Sequence, residues 1–320
     1  MSDFSLVKEP IMMVISDSWV EQLCACQDVA FVLTLNGDTE EGELPTDVVV
    51  VMDGHGPDLV IDIIREEPNL HEHFAKADPA ESLQQLIEEK IPIKKAESAN
   101  KLWNYYTDVS YHKYLKNKVD LTCIRRSGAT LSFAKIYRNV ITKKIRIEAE
   151  WLGDSPIMIL VNGGLVFNAE MHHADNEKEC KRLQDKGVLR SITKTKCGFE
   201  VLSENRIICK SGNYVCFTNN EGLACTRSLG HNRITGIETQ KHVVNCSMDD
   251  EVKVIICSDG VGDVLNLECD MEKLKMYSAY EIVKMAEARW KQTWNCGDRQ
   301  TKITPPYDDC SCAVWWQKKV

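Results

Sequence analysis

Asp47-Val48-Val49-Val50-Val51-Met52-Asp53-Gly54-His55-Gly56 is an unbroken apolar run that ends in a carboxylate, a bare backbone and an imidazole. Four valines in succession leave no polar face, so a strand built from them must be covered on both sides. The polar tetrad then stands where a buried strand emerges into a cleft. Taken alone, Asp53-Gly54-His55-Gly56 also suits a tight turn closed by an Asx hydrogen bond.

Working outward, the same pattern recurs. Asp28 opens the run Val29-Ala30-Phe31-Val32-Leu33. Ile145, Ile147, Ala149 and Trp151 alternate before Gly153-Asp154-Ser155. Val252, Val254, Ile255, Ile256 and Cys257 precede Ser258-Asp259-Gly260, and Tyr307-Asp308-Asp309-Cys310-Ser311-Cys312 leads into Ala313-Val314-Trp315-Trp316. Carboxylates gathered at strand ends repel one another and resist burial, so a convergent set calls for cations. Oxygen donors alone favour Mg2+ or Mn2+ over zinc.

In order and over nearly its whole length, the chain resembles the metal-dependent protein phosphatases of the protein phosphatase 2C family. Residues 27–28 are similar to that family's first acidic motif, Asp53-Gly54-His55-Gly56 to its signature, Ser127-Gly128-Ala129-Thr130 to the following strand and Gly153-Asp154-Ser155 to its central motif. Cys225-Thr226-Arg227-Ser228-Leu229-Gly230, Ser258-Asp259-Gly260-Val261-Gly262-Asp263 and Asp308-Asp309-Cys310-Ser311 continue the series. The resemblance implies an α+β fold in four layers, two antiparallel β-sheets packed as a sandwich and flanked by helices. It also implies hydrolysis of phosphoserine and phosphothreonine in protein substrates by water attacking phosphorus in line, with two Mg2+ or Mn2+ ions and a third, weaker one.

Carried over position by position, the resemblance gives Asp53 the bridge between two ions, the Gly54 carbonyl a bond to one, and Asp259 with Asp308 the other. Asp154 and Asp263, with Asp259, correspond to the third ion's ligands, and Asp28 to an outer-sphere group. Asp154 and Asp263 also suit turn capping. His55 corresponds to the proton donor for the departing serine or threonine oxygen, a role open to an imidazole that titrates near neutrality. The same histidine could instead structure its own turn.

The chain departs from the family pattern at named positions. Gln27 stands for a glutamate, Leu23 for a phosphate-binding arginine, Pro156 for a frequent arginine, His231 for an aspartate and Asp309 for an asparagine. Arg125 and Arg126 are the nearest substitutes for the missing arginine, against a solvated surface role. Losing phosphate contacts while keeping metal ligands leaves an alternative open: a catalytically impaired pseudophosphatase that binds phosphoproteins or partners. Another is a binuclear hydrolase of small phosphoesters.

Composition agrees with an ordinary globular enzyme. The 320 residues are 43% apolar, enough for a sizeable core, and the net charge of −9 argues against a nucleic-acid surface. The early apolar stretch Ile11-Met12-Met13-Val14-Ile15 lies between Glu9 and Asp17 and lacks the basic start of a signal peptide. No run reaches membrane-spanning length, so an intracellular protein, cytoplasmic or nuclear, is expected, with no membrane partner and no obvious oligomerisation signal. Fourteen scattered cysteines fit a reduced chain. No Cys-x5-Arg loop or Walker A motif is present. Cys24/Cys26 and Cys310/Cys312 share i,i+2 spacing, which on a strand places both thiols on one face; small buried residues are expected there, with a soft-metal or redox site as the other reading.

Residues 57–120 show helical spacing, with Pro57 and Pro79 as opening residues and Leu102, Trp103 and Tyr106 in a later turn. Strands are expected from residue 121 onward until Ser278-Ala279-Tyr280-Glu281, a capping box before a late helix that yields to the last strand. Residues 1–320 are expected to form one catalytic domain, with residues 172–230, irregular through Lys210-Ser211-Gly212-Asn213, as a substrate-selecting flap.

Overall fold

A computed structural model describes residues 12–36, 41–91, 126–193, 199–204, 206–210, 213–218, 222–296, 301–303 and 308–319. Strands β1 (Met12–Glu21), β2 (Asp28–Leu35) and β3 (Thr46–His55) lead into helices α1 (Leu59–Glu66), α2 (Leu70–Ala75) and α3 (79–91). Next come β4 (Gly128–Ala129), β5 (Leu131–Asn139), β6 (Lys144–Leu152), β7 (Ile157–Val161), β8 (Gly164–Asn168), α4 (Glu177–Asp185) and β9 (Leu189–Thr193). Short strands β10 (Phe199–Ser203), β11 (Arg206–Lys210), β12 (Tyr214–Phe217), β13 (Gly222–Leu223) and β14 (Leu229–Gly230) precede β15 (Gln240–Ser247) and β16 (Val252–Cys257). The C-terminal part holds α5 (Asp259–Gly262), α6 (Leu267–Met276), α7 (Ala279–Trp290), β17 (Trp294–Cys296), β18 (Thr301–Ile303) and β19 (Cys310–Lys319).

Two antiparallel sheets make the body. One runs β1-β19-β16-β7-β8; the other runs β14-β4-β3-β5-β6-β15, with β2 also paired to β3. Alternation along β3 shows why its valines must all be covered. Val48, Val50 and Met52 pack under α1 and α3, whereas Val49 and Val51 face the other sheet. β19 mirrors this, with Cys310, Cys312, Val314 and Trp316 toward α7 and Ala313 and Trp315 toward the centre. Helices, sheet, sheet and helices are therefore four layers around three apolar seams, the expected α+β sandwich. A buried polar contact crosses the central seam near the start of β3: the Trp315 indole donates to Asp47 Oδ2 over 2.9 Å, and Arg138 donates to the same oxygen over 2.8 Å.

Several local expectations change. The early apolar stretch becomes β1, paired with β19 along ten residues. Pro57 precedes the N-cap Asp58 of α1 and is not inside the helix, whereas Pro79 does open α3. Helices α4 and α6 interrupt the stretch read as strands, Lys210 closes β11 instead of lying in an irregular segment, and β17 and β18 intervene before the last strand. The capping box forms at Ser278 and Glu281. Leu102, Trp103, Tyr106 and Arg125 lie outside the described residues. Among the described residues, no helix is long and apolar enough to cross a membrane.

Candidate active site

β2 and β3 pair so that Asp28 lies opposite Asp53. The end of β3 is fixed by Thr130, which donates its N–H to the Asp53 carbonyl over 2.8 Å and accepts the Asp53 N–H at its hydroxyl over 3.0 Å. Gly54 permits the crossing of β2 and α1 at this point. A Cβ there would sit 2.2 Å from Ile61 and 2.9 Å from the Gln27 carbonyl.

The other sheet supplies the remaining carboxylates. Ser258 donates its N–H to the Ser311 carbonyl and its hydroxyl accepts the Ser311 N–H, each over 3.0 Å, so the ends of β16 and β19 are locked together. Asp259 then opens α5 and Asp308 stands just before β19. The Trp290 indole holds the Gly260 carbonyl over 2.6 Å and keeps α5 against α7.

These ends meet in a cavity of about 680 Å³ lined by Asp53, Gly54, His55, Asp154, Asp259, Asp308 and Arg126, with Tyr214 and Leu223 on the far wall. Asp263 lies next door, in a second cavity that shares Asp154. Asp28 is buried behind the cluster. Burial and then the charges of Asp259 and Asp28 hold the Asp53 carboxyl well above its ordinary range. Burial also lifts Asp28 to about 7, against the pull of the Ser258 and Ser311 hydroxyls. Asp28 Oδ2 is left buried with no hydrogen-bond partner.

An all-oxygen donor set, crowded enough to raise its own pKa values, suits hard divalent cations. Among the described residues no three His, Cys, Asp or Glu side chains are already drawn in to hold an ion.

His55 sits under the cavity in an environment that the sequence did not reveal. Its ring stacks on His231 with centroids 4.8 Å apart, and its Nε2 lies 3.6 Å from Cys225 Sγ. Gly128 makes room for both rings, since a Cβ there would fall 2.3 Å from His231 and 2.8 Å from His55. Removal from water, and then the neighbouring His231, push the His55 imidazole down to about 3.

The departures from the family pattern find local explanations. The Asp309 carboxylate accepts the N–H of Cys24 over 2.7 Å and of Gln27 over 2.9 Å, one on each oxygen. An asparagine, with one acceptor oxygen and a donating amide, could not take both in this way. Gln27 donates its own amide to the Gly56 carbonyl over 2.6 Å and to Asp58, bonds a glutamate could not donate. Leu23 packs against the apolar cluster under α7. Cys310 and Cys312 are buried as expected, but Cys24 and Cys26 are exposed on the turn between β1 and β2. That corrects the reading of the first pair as packing residues: the chain leaves β1 at Glu21, so no strand alternation applies to them.

A sequence profile described as Protein phosphatase 2C matches residues 26–272. The chain belongs to the protein phosphatase 2C family. The fold agrees with solved structures at low identity. A phosphatase from a pathogenic strain of Toxoplasma gondii is 11% identical with a TM-score of 0.53, covering 98% of this chain and 95% of that one. A sex-determining protein of C. elegans is 16% identical with a TM-score of 0.50; the match covers 95% of this chain and only 64% of the nematode protein. No curated protein sequence matches at a significant level. Membership in the protein phosphatase 2C family supports a protein serine/threonine phosphatase.

Proposed function

We propose that this protein phosphatase 2C member is a Mg2+- or Mn2+-dependent hydrolase of phosphoserine and phosphothreonine in proteins. The observation that carries the reading is one cavity in which Asp53, Asp259 and Asp308, from two different sheets, face Arg126. Asp53, the Gly54 carbonyl, Asp259 and Asp308 would hold two ions; Asp154 and Asp263 would hold a third, weaker one, with Asp28 behind them. When bound, such ions activate water and offset charge on the phosphoryl oxygens. Arg126 would grip the phosphate with its planar fork, in place of the arginine absent at Leu23. His55 would give a proton to the departing alkoxide, which is a poor leaving group without it. Because burial and His231 hold its imidazole at about 3 and not near neutrality, that role requires the negative charge of a bound phosphate to raise it. Residues 1–320 would act as one catalytic domain, and residues 172–230 as the flap, since Tyr214, Gly222, Leu223 and Ala224 form the cavity's far wall.

A second reading, phosphoprotein binding without turnover, is favoured by Leu23, an apolar side chain packed where the family places a phosphate ligand. Phosphopeptide turnover during a Mn2+ titration, with calorimetry of cation binding, separates the two. Turnover that requires the cation and is abolished by chelation supports the hydrolase; cation binding with no turnover supports the binding module. No cation binding at all would overturn the metal assignment.

A further inference from the structure

The turn from Gln22 to Gln27 carries two exposed thiols, Cys24 and Cys26, one on either side of Ala25, which lines the cavity. It is fastened at several points to the segments that bear the site. Asp309 receives the Cys24 and Gln27 N–H groups, Arg65 Nη2 donates to the Cys26 carbonyl over 2.6 Å, and the Gly54 N–H donates to the Gln27 carbonyl over 3.0 Å. Cys26 holds this shape at φ +59°, a left-handed conformation uncommon for a residue with a side chain.

We propose that Cys24 and Cys26 are an oxidation site: a hydroperoxide converts them to a disulfide that unfastens Asp309 and disables the adjoining cavity. One thiolate attacks the peroxide O–O bond, becoming a sulfenic acid as the second oxygen leaves as hydroxide. The other cysteine's sulfur then attacks the sulfenic sulfur, the S–S bond forms and water departs. Two thiols and one peroxide thus give one disulfide and two waters. The second step is intramolecular across a single residue, so the resolving thiol is always close, although the short ring it closes is strained.

Selectivity follows from exposure. Among the described residues Cys180, Cys225, Cys257, Cys310 and Cys312 are buried and Cys216, Cys246 and Cys269 half-buried, and burial raises the thiols of Cys225, Cys246, Cys310 and Cys312 away from their reactive form. Closing so small a ring requires both side chains to swing to one side. The backbone between them must turn, and the Cys24 and Gln27 amides can then no longer converge on one carboxylate.

The consequence for phosphate hydrolysis rests on the function proposed above, but the site itself does not. The test treats the full chain with one equivalent of hydrogen peroxide and maps cysteines by mass spectrometry. Amide exchange at Cys24 and Gln27 and Mn2+ affinity are followed before and after. The expected result is a Cys24–Cys26 disulfide ahead of modification elsewhere, lost protection at both amides, and Mn2+ affinity lower by roughly 10–100-fold, the cost typical of displacing groups that orient metal ligands. Dithiothreitol should reverse all three, and Cys24→Ser should abolish the response while leaving the reduced protein's properties unchanged. Oxidation falling first on other cysteines, or a disulfide that leaves both amides protected, overturns the proposal. A reduced protein that binds no Mn2+ would count against the metal assignment alone, because mapping and exchange still decide the thiol site.

Discussion

Arg126 projects into the cavity from a segment that, by sequence, adjoins Ser127-Gly128-Ala129-Thr130 without any sign of which way it faces. A hydrogen bond to a charged phosphate is worth about 1.5–3 kcal/mol, so Arg126→Ala should raise KM for a phosphopeptide by roughly 10–100-fold with kcat less affected. Steady-state kinetics would show it, and an unchanged KM would remove Arg126 from the substrate site. His55→Gln should slow phosphoserine hydrolysis by about 10²–10⁴-fold while sparing an aryl phosphate, whose phenolate leaves unaided. Equal losses on both substrates would argue against proton donation. The acidic residues were legible because each stands at the end of an apolar run, and strand ends are where a sheet can present polar groups. The surroundings of His55 were not, because Cys225 and His231 reach it from a segment 170 residues away and more. Asp309 was equally opaque. Its departure from the pattern reads as a loss until its two amide donors, more than 280 residues away in sequence, are seen.

Between elements, the most consequential contact ties α4 to the turn before β14. Arg227 grips the buried Glu179 with two nitrogens, over 2.9 and 2.6 Å, and its third donates to the Glu238 carbonyl over 2.6 Å. Arg182 adds a bond to Glu179 over 2.9 Å. Burial works against the Glu179 charge, but the Arg227 bond and the Arg182 charge prevail and bring it down to about 2. Arg227→Leu would leave that carboxylate held by Arg182 and Thr226 alone and should cost about 1.5–3 kcal/mol, measurable by urea denaturation. Because the folded value lies below the ordinary 4.5, the contribution is fully present above pH 4.5 and fades as pH falls toward 2. The variant should therefore lose less stability than the parent over that acid range. Helix α4 escaped sequence reading since only Glu179, Cys180 and Leu183 of its nine residues are buried, too thin an apolar stripe to show a period. The capping box of α7 was legible because both partners lie within one turn.

At the scale of the whole molecule, pH should act through a buried imidazole. Burial, and then the Arg227 charge, push His172 down to about 4 from an ordinary 6.5. The unfolded chain takes up this proton first, so stability is full above pH 6.5 and falls as pH drops through that value toward 4, by a sum on the order of 2–3 kcal/mol. Urea midpoints at successive pH values should show the parent losing more stability than His172→Gln over this range, His55 and Asp28 titrating alike in both. The layer count was legible from strand patterning and family resemblance together; the strand order and the two small sheets β11-β10-β17-β18 and β13-β12-β9 were not, because strands of only two to five residues show no period. The Asp47–Trp315 bond has a further consequence. It clasps the two sheets at one end of β3, while at the other end, about 20 Å along the strand, like charges push them apart. The sandwich is thus a peg with a sprung jaw. In metal-free solution, backbone amides around Asp53 and Asp308 should exchange with solvent faster than those around Asp47 and Trp315, and added Mn2+ should close the difference.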